Sequence, residues 1–129
     1  MRKTAYLAAA LLTLAAAPAL ADNSYQNTCS NIAFAYSGND AAITAVCLKS
    51  DGSPNATKLI LQGISNQNGK LTQGSGTSSF QKSCGNIQIL VGNGPNTTLS
   101  ALCRTAAGTS NATSLPLNGI SNQNGNLQQ

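Results

Sequence analysis

Few side chains in this sequence could take part in catalysis. The chain has no His, Glu or Trp, and its acids are Asp22, Asp40 and Asp51. Glycoside cleavage needs two carboxyl groups at one bond, but these aspartates are far apart, and Asp40 and Asp51 lie in turn-forming segments. General acid–base catalysis most often uses a histidine. We therefore expect no enzymatic activity, no cofactor and no metal site.

The groups left for recognition are neutral hydrogen-bond donors and acceptors. Asn, Ser, Thr, Gln and Gly are abundant after residue 21. In that part of the chain five basic and three acidic residues remain, a net charge of +2, and the basic residues form no run. Nucleic acids and anionic membranes attract clustered positive charge. We expect neither a nucleic-acid partner nor membrane insertion.

The first residues have the pattern of a secretory signal peptide. Arg2 and Lys3 precede an apolar run of 11 residues (7–17), and Ala19-Leu20-Ala21 is a small-residue cleavage site. The apolar run is too short to span a bilayer. We expect cleavage near Ala21, a mature domain of residues 22–129, and a secreted or periplasmic location.

An internal repeat organises the mature chain. Residues 55–71 and 111–127 are identical at 13 of 17 positions, including an unbroken GISNQNG. SYQNTCSNI, from Ser24, likewise matches SFQKSCGNI, from Ser79. Repeat one therefore spans about 24–73 and repeat two about 79–129. The Gly- and Ser-rich residues 74–78 between them are typical of a flexible linker.

The repeat predicts how the four cysteines pair. Cys29 and Cys47 occupy the positions in repeat one that Cys84 and Cys103 occupy in repeat two. A turn-forming cluster lies midway between each pair, at residues 37–40 and 92–95. A hairpin folded at each cluster places the two cysteines of a repeat opposite each other. We predict the disulfides Cys29–Cys47 and Cys84–Cys103, each stabilising the fold by about 3 kcal/mol.

The remaining patterns favour an all-β fold. Ile32, Phe34 and Tyr36 alternate with small residues, as in a half-buried strand. Asn68-Gly69 and Asn124-Gly125 separate short segments and predict tight hairpins. Pro116 predicts an edge strand. Single helical turns are an alternative for residues 55–58 and 111–114.

These features together resemble the cyanovirin-N homology family over essentially the whole mature chain. The resemblance rests on an aromatic residue four positions before the first Cys of each repeat, a second Cys after a hairpin, and a terminal N-x-N-G-x-L hairpin, all occurring twice. It implies a pseudo-symmetric fold whose halves each take the terminal hairpin from the other repeat. It also implies metal-free binding of high-mannose glycans, with one site per half.

Matching the family's sites to this sequence gives two polar clusters. The first comprises Ser24, Asn27, Thr28, Ser50, Asn122, Gln123, Asn124 and Gly125. The second comprises Ser65, Asn66, Asn68, Ser78, Ser79, Lys82, Ser83 and Arg104. Sugar hydroxyls need donors and acceptors side by side, which such side chains supply.

Structural roles compete with binding at many of these positions. The four hairpin asparagines also suit tight turns, and Lys82 and Arg104 also suit a solvated surface. Tyr25, Phe80 and Tyr36 suit packing better than sugar stacking. The N-x-T sequons at Asn55, Asn96 and Asn111 are glycosylation acceptors in a eukaryotic host, and their repeated position otherwise suits a turn or helix cap.

The sequence departs from the family pattern at several of these positions. Asn68 and Asn124 replace a frequent Asp, and Leu48, Lys82 and Ala106 are also unusual for the family. The sequence thus predicts a mannose-binding lectin with up to two sites. The alternative is an interaction or structural module that kept the fold and lost sugar binding. We expect a monomer, with a domain-swapped dimer as the alternative.

Overall fold

The computed structural model describes residues 24–92 and 97–129, so the predicted signal peptide lies outside the described part of the chain. Two short 3-10 helices, Ser24–Asn27 and Phe80–Lys82, precede the first strand of each repeat. The strands are β1 (Cys29–Ser37), β2 (Asp40–Leu48), β3 (Pro54–Ile60), β4 (Gln62–Gln67), β5 (Lys70–Thr77), β6 (Cys84–Val91), β7 (Thr97–Arg104), β8 (Ser110–Leu117), β9 (Ser121–Gln123) and β10 (Asn126–Gln128).

The strands form two copies of one antiparallel arrangement, as the all-β prediction required. Strands β1, β2 and β3 make one three-stranded sheet, and β6, β7 and β8 make its counterpart. The hairpins β4–β5 and β9–β10 are separate two-stranded units. Pro116 lies in β8, at the edge of its sheet, where its missing N–H breaks no ladder.

Each hairpin docks on the sheet of the other repeat, which confirms the predicted exchange. The Asn55 amide of β3 donates to the Gly125 carbonyl oxygen at 2.8 Å, and Leu127 N–H donates to the Thr57 hydroxyl at 3.1 Å. In the other half, Asn111 donates to the Gly69 carbonyl at 2.7 Å, and Leu71 N–H donates to Thr113 at 3.2 Å. The same N-x-T positions therefore hold both hairpins.

Both predicted disulfides are present. Cys29 pairs directly opposite Cys47 in the β1–β2 ladder, and Cys84 pairs opposite Cys103 in the β6–β7 ladder. The first hairpin turns between Ser37 and Asp40, inside the predicted turn cluster. Each disulfide therefore closes one hairpin within one repeat.

One hydrophobic core runs through both halves. Tyr25 and Phe80 are fully buried and confirm the packing role expected for these rings. They join the strand residues Ile43 and Leu99 and also Leu61, which lies between β3 and β4. The Tyr25 hydroxyl lies 2.7 Å from the Thr97 hydroxyl, so this buried phenol has a partner in the other repeat. Burial raises the pKa of Tyr25, and the Thr97 hydrogen bond opposes that shift.

Two local expectations were wrong, and a third, the packing of Tyr36, was met only in part. Residues 74–77 are not a loose linker but the end of β5, where Thr77 pairs with Gln62. The N-x-T segments at residues 55 and 111 lie in β3 and β8 rather than in turns or helical turns. Tyr36 is 60% exposed, although its ring packs edge-on against Phe34 with centroids 5.1 Å apart. Within the described ranges, no helix is apolar and long enough to cross a membrane.

Candidate functional site

The first depression lies where the start of β1, the end of β2 and the β9–β10 turn meet. It has a volume of about 420 Å³. Its lining residues are Asn27, Thr28, Leu48, Lys49, Ser50, Asn122 and Asn124. Five of the eight residues predicted for the first cluster are among them. Repeat one supplies the floor, and the hairpin of repeat two closes one side.

Asn122 holds this hairpin against the sheet with its whole side-chain amide. Its Nδ2 donates to the Thr28 hydroxyl and to the Leu48 carbonyl, both at 2.9 Å. Its Oδ1 accepts from Gly125 N–H at 2.7 Å. Asn122 therefore braces its own turn and fixes the turn to both edges of the depression.

Asn124 reaches across the depression to the β2–β3 loop. Its Oδ1 accepts from the Ser50 backbone N–H at 2.8 Å and from the Ser50 hydroxyl at 3.0 Å. The loop is braced internally, because the hydroxyl and the backbone N–H of Ser53 donate to the Asp51 carboxylate at 2.6 and 2.9 Å. These bonds lower the pKa of Asp51. Ser50 is thus positioned from both sides.

The second depression occupies the equivalent place in the other half, with a volume of about 360 Å³. It is lined by Lys82, Ser83, Cys84, Gly85, Leu102, Arg104 and Ser110. Lys82, Ser83 and Arg104 are the predicted members, and all three are exposed. Two cations and no acid line this depression, whereas Lys49 is the single cation of the first.

Asn66 and Asn68 repeat the bracing seen in the first half. Asn66 Nδ2 donates to the Ser83 hydroxyl and to the Arg104 carbonyl at 2.9 Å each, and its Oδ1 accepts from Gly69 N–H at 2.7 Å. Asn68 Oδ1 accepts from Ala106 N–H at 2.8 Å. Asn68 and Asn124 both have positive φ, 53° and 51°, as the first residue of each Asn-Gly turn requires. All four asparagines therefore have structural roles.

Two of the other predicted residues have partners within their own hairpins. Gln123 donates to Ser121, and Ser65 accepts from Gln67, each at 2.9 Å. Gly125 is buried in its turn, and Ser24 begins the first 3-10 helix.

Ser78 and Ser79 are placed differently from each other. Ser79 is exposed immediately before the second 3-10 helix. Ser78 is 2% exposed, and its hydroxyl is shared by Ile64 N–H and the Leu61 carbonyl, which leaves it no surface to offer a ligand.

Sequence reasoning did not select four of the lining residues. Lys49 borders the first depression, while Gly85, Leu102 and Ser110 border the second. Leu102 is 41% exposed despite its place in an apolar alternation. Ser110 could have been found, because it directly precedes the Asn111 sequon whose counterpart docks a hairpin. Gly85 and Leu102 carry no comparable signal.

Chemically, both depressions offer hydrogen-bond donors and acceptors on a rigid frame. The first is lined by hydroxyls, amides and one cation, and the second by hydroxyls and two cations, with an exposed leucine in each. Among residues 24–92 and 97–129, no three His, Cys, Asp or Glu side chains are grouped so as to hold a metal ion. Such surfaces suit polyhydroxylated ligands.

A protein-family model described as the CVNH domain matches residues 25–128. No curated protein sequence matches the chain. Among solved structures, the CVNH protein of T. borchii is 29% identical, with a TM-score of 0.62, covering 81% of this chain and 97% of that one. Microvirin, solved in complex with mannobiose, is also 29% identical, with a TM-score of 0.61 and coverages of 81% and 95%. A designed cyanovirin-N homolog lectin is 26% identical, with a TM-score of 0.61 and coverages of 81% and 97%.

Proposed function

Because this chain belongs to the CVNH family, whose members are carbohydrate-binding lectins, we propose that it recognises mannose-type glycans at up to two sites. The observation that carries the proposal is the first depression. Short polar side chains from both repeats meet there around a rigid, open surface. Sugar hydroxyls would take hydrogen bonds from these groups, and the protein would do no chemistry on them.

The choice of mannose rests on one relative and on the sequence resemblance. Microvirin, at 29% identity over most of its length, is bound to mannobiose in its solved structure. The first depression of this chain is lined by Asn27, Thr28 and Ser50 around the exposed Leu48, and the Thr28 and Ser50 hydroxyls, each bound to one hairpin asparagine, keep a further lone pair for a ligand. Hydroxyl and amide groups on a fixed backbone can select among sugar epimers, because each misplaced hydroxyl leaves a polar group unpaired.

The proposal includes the setting in which the protein acts. We infer that residues 1–21 direct export and that the mature protein works outside the cytoplasm, where its two disulfides persist. We also infer a monomer, because each hairpin already closes on the other repeat of the same chain. Sedimentation of the oxidised protein would test the oligomeric state.

A titration of the oxidised protein with α1,2-linked mannobiose tests the function. The measurement is two-dimensional amide NMR, with calorimetry for the affinity. We expect shifts concentrated at residues 27–28 and 48–50. Asn27→Ala should weaken binding about three- to tenfold, the effect of losing one or two hydrogen bonds. Asn39→Ala, at the far turn of the β1–β2 hairpin, is the matched control and should bind normally.

The hairpin asparagines are poor positions for this test. Replacing Asn122 would release the turn as well as any sugar contact, because its amide binds Thr28, Leu48 and Gly125. Loss of binding in that variant would therefore not separate the two roles. A folded protein that leaves every mannoside unbound would overturn the proposal.

The same asparagine bonds favour one second candidate, an interaction module without sugar binding. All three hydrogen bonds made by Asn66 and all three made by Asn122 are internal to the protein. This candidate gains support if no saccharide on a broad glycan array binds the folded protein.

A further inference from the structure

The two depressions differ in charge at matched positions. Counting from the cysteines, Lys82 corresponds to Asn27, and Arg104 corresponds to Leu48. Ser83 corresponds to Thr28, so a hydroxyl is kept between them. The second depression therefore has two cations where the first has two neutral side chains, and Thr105 stands where the first has Lys49. Its pseudo-symmetric partner provides an internal reference for what those cations add.

The backbone beneath the two cations is held firmly. Arg104 N–H donates to the Ser83 carbonyl at 3.0 Å, and Lys82 N–H donates to the Ser79 carbonyl at 3.0 Å. Asn66 binds both the Ser83 hydroxyl and the Arg104 carbonyl. The Arg104 and Lys82 side chains therefore project from fixed points on either side of Ser83, on the rim of one depression.

No acid neutralises these cations within their own repeat. Residues 79–129 contain Lys82 and Arg104 and no Asp or Glu at all. In the described part of repeat one, Asp51 sits in the loop of the other half, held by Ser53. Asp40 pairs with Ser37 in the β1–β2 turn, where the neighbouring Asn39 carbonyl accepts from Gln81 at 2.8 Å, and Asp40 does not line the second depression. The lining of the second depression therefore carries two cations and no acid, whereas the Asp51 loop borders the first.

We infer that the second depression binds an acidic saccharide, one that carries a carboxylate, sulfate or phosphate group. This inference rests on the proposed lectin function and names the ligand class of its second site. The Arg104 guanidinium offers a planar fork of donors that fits such oxyanions, and Lys82 adds a point charge. The Ser83 and Ser110 hydroxyls face the ring hydroxyls, and the exposed Leu102 gives an apolar surface for the ring.

Matched sugars test the inference on the full oxidised protein. The pairs are mannose and mannose 6-phosphate, glucose and glucuronic acid, and galactose and galactose 6-sulfate, with inorganic phosphate alone as a further probe. Amide NMR reports which depression responds. We expect the acidic members to shift Ser83 and Arg104 and to bind about tenfold tighter there than the neutral members. Raising the salt concentration above 0.15 M should weaken the binding of the acidic sugars, because the Debye length, about 8 Å at 0.15 M, becomes shorter as salt is added.

The chain itself supplies the variants. Lys82→Asn with Arg104→Leu installs the first depression's residues in the second and should abolish the preference for acidic sugars. Asn27→Lys with Leu48→Arg makes the reverse exchange and should create that preference in the first depression. Lys58→Asn is the control, because it removes a cation from β3, on the other sheet. It should leave the binding of acidic and neutral sugars at both depressions unchanged.

The outcomes separate this inference from the proposed function. Neutral mannosides that bind at the first depression, with no acidic preference at the second, overturn the inference alone. Acidic sugars that bind equally well to the Lys82→Asn, Arg104→Leu variant also overturn it, as does inorganic phosphate binding as tightly as mannose 6-phosphate. If no saccharide binds either depression, both fail. A preference for acidic sugars that moves from the second depression to the first with the exchanged residues supports the inference.

Discussion

At the residue scale, the hairpin asparagines form hydrogen bonds between the two repeats that turn propensity alone does not predict. Asn66 and Asn122 each bind their own turn and two groups of the other repeat. Asn68 and Asn124 accept the left-handed backbone and cap a loop across the depression. The four asparagines therefore have the role in tight turns that the sequence offered as an alternative to sugar binding.

Replacing Asn66 should lower the free energy of unfolding far more than replacing its neighbour Gln67. Asn66→Ala deletes three hydrogen bonds and leaves Gly69 N–H in a buried turn without its partner, so we expect a loss of about 1–3 kcal/mol in the free energy of unfolding. Gln67→Ala removes a bond to Ser65 only and should change stability by less than about 0.5 kcal/mol. Urea unfolding measures both; equal effects would contradict the bracing role.

The Asp51 carboxylate should make the first loop sensitive to acid. Its folded pKa is lowered by Ser53, so its contribution is present above the unfolded pKa of about 3.9 and is lost as the pH falls through the folded value. Asp51→Asn should lower Tm slightly at pH 7, and the difference in Tm should shrink as the pH falls below the unfolded pKa. Asp40→Asn controls for the lost charge. A difference in Tm that stays constant as the pH falls would exclude this explanation.

At the element scale, each docked hairpin depends on a buried glycine in its turn, Gly69 in one and Gly125 in the other. Gly69 has φ of 88°, and a Cβ there would lie 2.7 Å from Thr105 Cγ2 and 3.0 Å from Asn111 Cβ. The N-x-T strands come this close because Asn111 and Thr113 bind the hairpin backbone directly. A side chain at position 69 would therefore push the β4–β5 hairpin away from the sheet formed by β6, β7 and β8.

Two alanine variants separate backbone strain from this close approach. Gly69→Ala should destabilise the protein by about 1 kcal/mol or more beyond Gly52→Ala, because Gly52 has a similar φ of 87° but open space around its Cβ position. Thermal unfolding compares the two. Equal losses would mean that the hairpin shifts without cost.

At the whole-molecule scale, neither repeat of the sequence forms a complete half of the structure by itself. Each three-stranded sheet is completed by a hairpin from the other repeat, and the core draws Tyr25 and Phe80 into one cluster. The halves of the structure and the repeats of the sequence therefore divide the chain differently.

Separate fragments test this division. Residues 24–78 and 79–129, each with its disulfide intact, should not fold as monomers, because each lacks the hairpin that fits its sheet. Mixed in equal amounts, they should form a one-to-one complex with dispersed amide NMR signals. A fragment that unfolds cooperatively as a monomer would contradict the exchanged arrangement.

Much of the fold could be predicted because repetition and turn chemistry are local. Two equivalent cysteine pairs around turn clusters predicted the disulfides, Asn-Gly predicted the hairpins, and Pro116 predicted an edge. The exchange of hairpins came from the family resemblance. The linker was misjudged because composition reports flexibility, whereas residues 74–77 find a partner strand in β4.

The sequence alone determined the class of the protein: an all-β fold of two repeats, each closed by a disulfide, with polar residues at its turns. Only the tertiary structure decided which polar groups meet. Asn122 lies 94 positions from Thr28, and Asn66 lies 38 from Arg104, so their contacts depend on docking rather than on local pattern. For the same reason, Leu102 joins a depression and Ser78 is buried away from it. Local propensity sets the elements, but the burial of shared apolar surface sets their neighbours.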